Sequence, residues 1–179
     1  MGLADWDTYL AMDRALSRSG LRVRYLRGVF EVMSISRPHE YMKSIIGSLV
    51  DTFCRVTNIE YYKWGSATNR VEGVAGAEPD ESFTFGAEDK PKPDLVIEVA
   101  FSSGGIDKCA LWAELGAREI WVWERDRLHG FDLESGTPEP LTTSRVLPGL
   151  KLATLEAAAH IKPTSAACRE FAEQLASAK

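Results

Sequence analysis

The sequence predicts a mixed α/β fold with a central sheet flanked by helices, and three observations lead there. Pro93 to Phe101, PDLVIEVAF, is a near-continuous apolar run rich in β-branched residues, the pattern of a strand covered on both faces. Met42, Ile45, Ile46, Leu49, Phe53 and Val56 recur at helical spacing. Short strand-like runs broken by glycine or asparagine alternate with helical stretches, with no internal repeat, linker or low-complexity tract. One domain over residues 1–179 is expected: an N-terminal helix and strands over about 4–34, a core over about 36–135, and C-terminal helices over about 153–177.

The elements follow in order. Residues 4–16 suggest a short amphipathic helix on Trp6, Leu10 and Met12. Leu21 to Leu26 and Val29 to Met33 read as strands around an Arg27-Gly28 turn. The five arginines between 14 and 27 read as a solvated basic face, with a phosphate-contacting patch as the alternative. Ser36-Arg37-Pro38-His39-Glu40 is a helix-start signal, so a helix over Arg37 to Thr57 follows, ended by Asn58. Ile59 to Trp64 and Ala67 to Val71 look extended, and phenylalanines 83 and 85 suit a half-buried strand with Asp80 at its entrance. Residues 86–92 form a loop. After the central strand, residues 102–105 predict a turn and Ile106 to Leu115 a helix stopped at Gly116. Arg118 to Glu124 and Leu128 to Leu133 predict a hairpin across Asp126-Arg127. Thr142 to Val146 adds a short strand, and alanine-rich helices over 153–160 and 163–177 close the chain.

Composition narrows the function classes. With 179 residues, 45% of them hydrophobic, the chain can bury a full core. No run approaches the roughly 18–20 apolar residues of a membrane span. The N-terminus lacks the basic-then-apolar order of a secretory signal, so a cytoplasmic location is expected. A net charge of −5 excludes a surface that is adhesive for nucleic acid all over, and still permits a local basic groove. Cys54, Cys109 and Cys168 form no CxxC pair and the histidines no HExxH spacing, which argues for structural thiols and against a zinc site.

Strand alternation sets Asp94, Val96, Glu98 and Ala100 on one face of the central run and Leu95, Ile97, Val99 and Phe101 on the other. A carboxylate in such a run needs a cation, a hydrogen-bond network or a metal ion, because burial disfavours its charged form. Asp80 and Glu98 on neighbouring strands can converge on a divalent ion such as Mg²⁺. Lys108 shares the helix stripe of Leu111, Trp112 and Leu115 and can reach back toward Glu98 to hold a water or stabilise phosphoryl charge. The plainer alternatives are a structural Glu98–Lys108 ion pair and a turn role for Asp80.

The blocks FEVMSISRPHE, GAEPDESFTF, PDLVIEVAFSS and K…LGAREIWVWE, in that order, resemble the Uma-two restriction-endonuclease family of the PD-(D/E)xK superfamily, from about Tyr25 to Leu152. The resemblance implies a restriction-endonuclease-like core that binds Mg²⁺ or Mn²⁺ and acts on DNA. It assigns the metal-holding carboxylates to Asp80 and Glu98. The superfamily's lysine position falls on Ala100, which cannot serve, and Lys108 on the next helix is the matching substitute. Glu40 matches the glutamate of the family's HE pair, which implies a catalytic role beside Lys108, assisting through a water, and its helical phase turns it away from the apolar stripe. His39 and Glu40 therefore also read as helix-start residues. Asp94, on the same strand as Glu98, is the weaker metal candidate. A catalytically inactive nuclease-fold binding protein and an RNA-directed hydrolase remain alternative readings. Trp121 and Trp123 share one strand face and read as core or as a homodimer interface, for which the hairpin edge offers a pairing site.

Overall fold

The computed structural model describes residues 1–17, 19–101 and 105–177. In chain order the elements are β1 (Gly2–Leu3), α1 (Trp6–Leu16), β2 (Leu21–Leu26), β3 (Val29–Ser34), α2 (Arg37–Thr57), β4 (Tyr61–Lys63), β5 (Asn69–Val71) and β6 (Ala75–Ala77). They continue with β7 (Glu81–Phe85), β8 (Leu95–Ala100), α3 (Lys108–Leu115), β9 (Glu119–Glu124), β10 (Arg127–Asp132), β11 (Glu139–Leu141), α4 (Leu152–Ala159) and α5 (Thr164–Ser177).

Two sheets form where the sequence pointed to one. The larger is mixed, in the order β11-β10-β9-β8-β7-β4, and places β8 between a parallel neighbour, β9, and an antiparallel one, β7. The smaller, β1-β3-β2-β6-β5, is antiparallel throughout. It was not foreseen because β6, Ala-Gly-Ala, carries no strand pattern. Its middle residue is glycine because Tyr9 of α1 packs on it: a Cβ at Gly76 would stand 2.3 Å from the Tyr9 hydroxyl.

Burial explains the layering. Leu95, Ile97 and Val99 join Trp121 and Trp123 in a core covered by α2, α4 and α5. Both tryptophans are fully buried, as the core reading holds. On the opposite face Val96 and Ile120 pack with α3 and with β6. The smaller sheet divides likewise: Val23 and Tyr25 pack beneath α1, while the alternate residues of β2, Arg22 and Arg24, point toward the larger sheet and are buried.

Several expectations shift. Helix α2 runs from Arg37 to Thr57 as read, with Ser36 capping the His39 N–H and Asn58 in the left-handed conformation at its end. β7 is buried along its whole length rather than on one face, and on its second face Ser82 donates to the Gly65 carbonyl while Thr84 accepts from the Trp64 indole. Helix α3 begins at Lys108, capped by Asp107, two residues later than expected, so Lys108 is its first residue. The hairpin turns at Arg125-Asp126, both at positive φ, one residue before the expected position. The strand expected at Thr142–Val146 is instead β11 at Glu139–Leu141, with only a bridge from Thr143 to Lys151 beyond it. β11 also covers the hairpin edge on which homodimer pairing was expected. The turn expected at 102–105 lies, in its first three positions, outside the described residues. No helix among the described residues is long and apolar enough to cross a membrane.

Candidate functional site

The register of β7 against β8 pairs Glu81 with Ile97 and Ser82 with Val96, and one further step sets Asp80 opposite Glu98. Both point toward the smaller sheet, and both are almost wholly buried, at 1% and 0% exposure. The two carboxylates the sequence singled out therefore lie side by side.

Their partners are different from those expected. Asp80 Oδ1 accepts from Arg22 Nη1 at 2.6 Å, and Oδ2 accepts from the Val99 N–H at 2.7 Å and lies 2.9 Å from His39 Nε2. Glu98 accepts from Trp112 Nε1 at 2.7 Å on Oε1 and from Arg24 Nη2 on Oε2. The solvated-face reading of the N-terminal arginines is thus overturned at Arg22 and Arg24. They are strand residues whose alternation aims them at the acids of the other sheet, and an unpaired acid there would be costly.

Burial, the largest influence, pushes the Asp80 carboxyl up. The His39 hydrogen bond and charge, the Val99 N–H and the Arg24 charge outweigh it, and Asp80 lies below the usual carboxylate range. Glu98 goes the other way: complete burial pushes it up against the pull of Arg24, and the neighbouring Asp80 adds to the rise. Two adjacent carboxyl groups driven apart in this manner are a common arrangement at reactive sites.

Lys108 does not form a direct ion pair with Glu98, which removes the plain Glu98–Lys108 bridge. Its charge is still felt at Glu98, and its side chain lines a cleft of about 400 Å³ with Glu31, Ser34, Ser36, His39 and Phe101. Ala100 lies in the wall of the same cleft. The lysine supplied by the head of α3 therefore opens onto the space that Ala100 also borders.

On α2 the helix-start reading is corrected for His39. It is buried, with Nε2 on Asp80 and Nδ1 3.5 Å from Glu40 Oε1. The hydrogen bond to Asp80 is the chief reason its pKa is raised. Glu40 stays on the rim, paired with Lys43 at 3.1 Å, and reaches Asp80 only through His39. Asp94 is occupied elsewhere, by Lys90 at 2.7 Å, Arg118 at 3.2 Å and the Phe85 N–H at 2.8 Å.

As a donor set, two buried carboxylates suit a hard divalent cation. Each Glu98 oxygen, and Asp80 Oδ1, accepts one protein hydrogen bond and retains a lone pair. Among the described residues no three His, Cys, Asp or Glu side chains form a cage by themselves. An ion here would complete its shell with water and substrate oxygens, as Mg²⁺ commonly does.

Sequence reading missed Arg22, Arg24, Glu31, His39 and the indole of Trp112. The one signal available was the charge balance of the interior: two acids on a strand face covered from both sides require cations, and only β2 offers arginines at alternate positions opposite an apolar face.

Among solved structures, the chain resembles a crystal structure from Anabaena variabilis described as "a putative nuclease belonging to DUF820". The TM-score is 0.52 at 12% identity, covering 75% of this chain and 89% of that one. At that identity the likeness shows the fold. No curated protein matches the sequence. From residue 6 to residue 161, most of its length, the sequence matches the Uma2 family, described as "Putative restriction endonuclease", and the chain belongs to that family.

Proposed function

We propose that the protein is a Mg²⁺- or Mn²⁺-dependent endodeoxyribonuclease that hydrolyses phosphodiester bonds in DNA. The observation that carries this reading is the Asp80–Glu98 pair, opposed across β7 and β8, beside a cleft into which Lys108 opens. Membership of the restriction-endonuclease family and the nuclease-like fold support it.

In this reading Asp80 and Glu98 hold the ion, and the chemistry it supplies when bound is a lowered water pKa and neutralised phosphate charge. Lys108 orients the attacking water and stabilises the charge that develops on the phosphoryl oxygen. Arg22 and His39 fix the Asp80 carboxylate, and Trp112 fixes Glu98. Glu40 acts through His39 rather than on the substrate. Purified protein should cleave DNA in Mg²⁺ or Mn²⁺, and Glu98→Ala should abolish cleavage with the circular dichroism spectrum unchanged. Equal cleavage by the two proteins would reject the assignment, and a parallel RNA substrate separates an RNA-directed hydrolase.

One observation favours a second reading, a nuclease fold that binds without catalysis: both carboxylates already face an arginine. Calorimetric titration with Mn²⁺ discriminates, since a module of that kind should give no heat that depends on Asp80 or Glu98.

A further inference from the structure

The two arginines of β2 are held very differently. Arg22 reaches Asp80 at 2.6 Å, the Pro79 carbonyl at 3.2 Å and Ser66 Oγ at 3.4 Å. Arg24 donates to Glu98 through Nη2 alone, while its Nε and Nη1 are buried with no hydrogen-bond partner. Buried donors are nearly always satisfied, so two idle nitrogens on a side chain at 1% exposure mark a group that is poorly fixed where it stands. Three carboxylates pull on it: Glu98, Asp80 and Glu31. Glu31 sits directly across the β2–β3 ladder from Arg24 and lines the cleft. Opposed residues on antiparallel strands are close enough for their side chains to meet. Glu98, at 0% exposure, is not reached from the cleft unless a neighbour moves.

We propose that Arg24 is a displaceable counter-ion, occupying the cation's place beside Glu98 and yielding it to a divalent metal by moving to Glu31. This rests on the reading of Asp80 and Glu98 as the metal-holding pair. An arginine and a divalent ion both stabilise ionised Glu98 and repel each other, so each should weaken the hold of the other. Arg22, with three acceptors, stays in place.

Mn²⁺ titration calorimetry on the intact protein without DNA tests this directly. Arg24→Gln and Arg24→Met should each bind Mn²⁺ about tenfold more tightly than wild type, or better. Glu31→Gln should weaken binding in wild type and change nothing when combined with Arg24→Gln. If Arg24→Met proves too unstable to titrate, Arg24→Gln and the Mn²⁺-induced rise in melting temperature, larger in the variant than in wild type, supply the comparison. Unchanged or weaker Mn²⁺ binding without the arginine, no saturable binding in any variant, or an equal Glu31→Gln effect in both backgrounds would each overturn the proposal. Tighter binding in the variants of a protein that cleaves no DNA supports the counter-ion role while the nuclease reading fails. Cleavage with Mn²⁺ affinity indifferent to residue 24 does the reverse.

Discussion

On one face of β8, Leu95, Ile97 and Val99 pack in the apolar core covered by α2, α4 and α5; on the other, Glu98 lies beside Asp80, two arginines and an indole. The faces are equally buried. Each apolar side chain of the first contributes about 1.5–3 kcal/mol through removal from water. The charged face gains nothing comparable, since a buried ion pair roughly breaks even against an apolar replacement of the same shape. The helix-side face therefore accounts for stability. The charged face, which adds little to it, is where chemistry is to be sought.

The largest expected effect comes from dividing the charged face. Arg24→Ala leaves Glu98 buried without a cation and should cost about 3–5 kcal/mol in urea unfolding, whereas the double change Arg24→Met with Glu98→Leu should cost only about 1–3 kcal/mol, from a Trp112 N–H left without an acceptor. On the helix-side face, Ile97→Ala should cost about 2–5 kcal/mol, with no apolar substitution elsewhere able to compensate as the paired change does. Ser36→Ala, which removes the cap at the end of α2 that carries His39, should cost about 1 kcal/mol.

The smallest effect is a pH slope. The Asp80 hydrogen bond raises the pKa of His39 above its usual 6.5, so the stabilisation is complete below that value and lost as pH rises through the raised one. Melting temperatures measured across that window should fall with rising pH in wild type more than in His39→Gln. Parallel curves would mean that His39 carries no charge there.

Local signals made much of this fold legible. Ser36, Pro38 and the spacing from Met42 to Val56 mark α2, and the β-branched run marks β8 and its two faces. Glu98 stood out because a carboxylate in a buried strand is costly wherever the chain goes, and Asp80 because it opens the neighbouring strand and matches the family's motif. What stayed hidden depends on contacts between distant segments. Whether Arg22 and Arg24 face water or an acid is decided by the opposing sheet, and in their own sheet the neighbouring strand β6 has a glycine, Gly76, because of the space Tyr9 fills rather than any strand propensity. His39 looked like a capping residue because its position on α2 is local information, while the Asp80 it meets lies on another element.

Cleavage of duplex DNA in Mn²⁺ by wild type and by the Arg24→Met/Glu98→Leu protein separates the two faces in a single assay. The double variant should stay folded and leave the DNA intact. A well-folded double variant that cuts at the wild-type rate would mean that the charged face of β8 has no part in the chemistry.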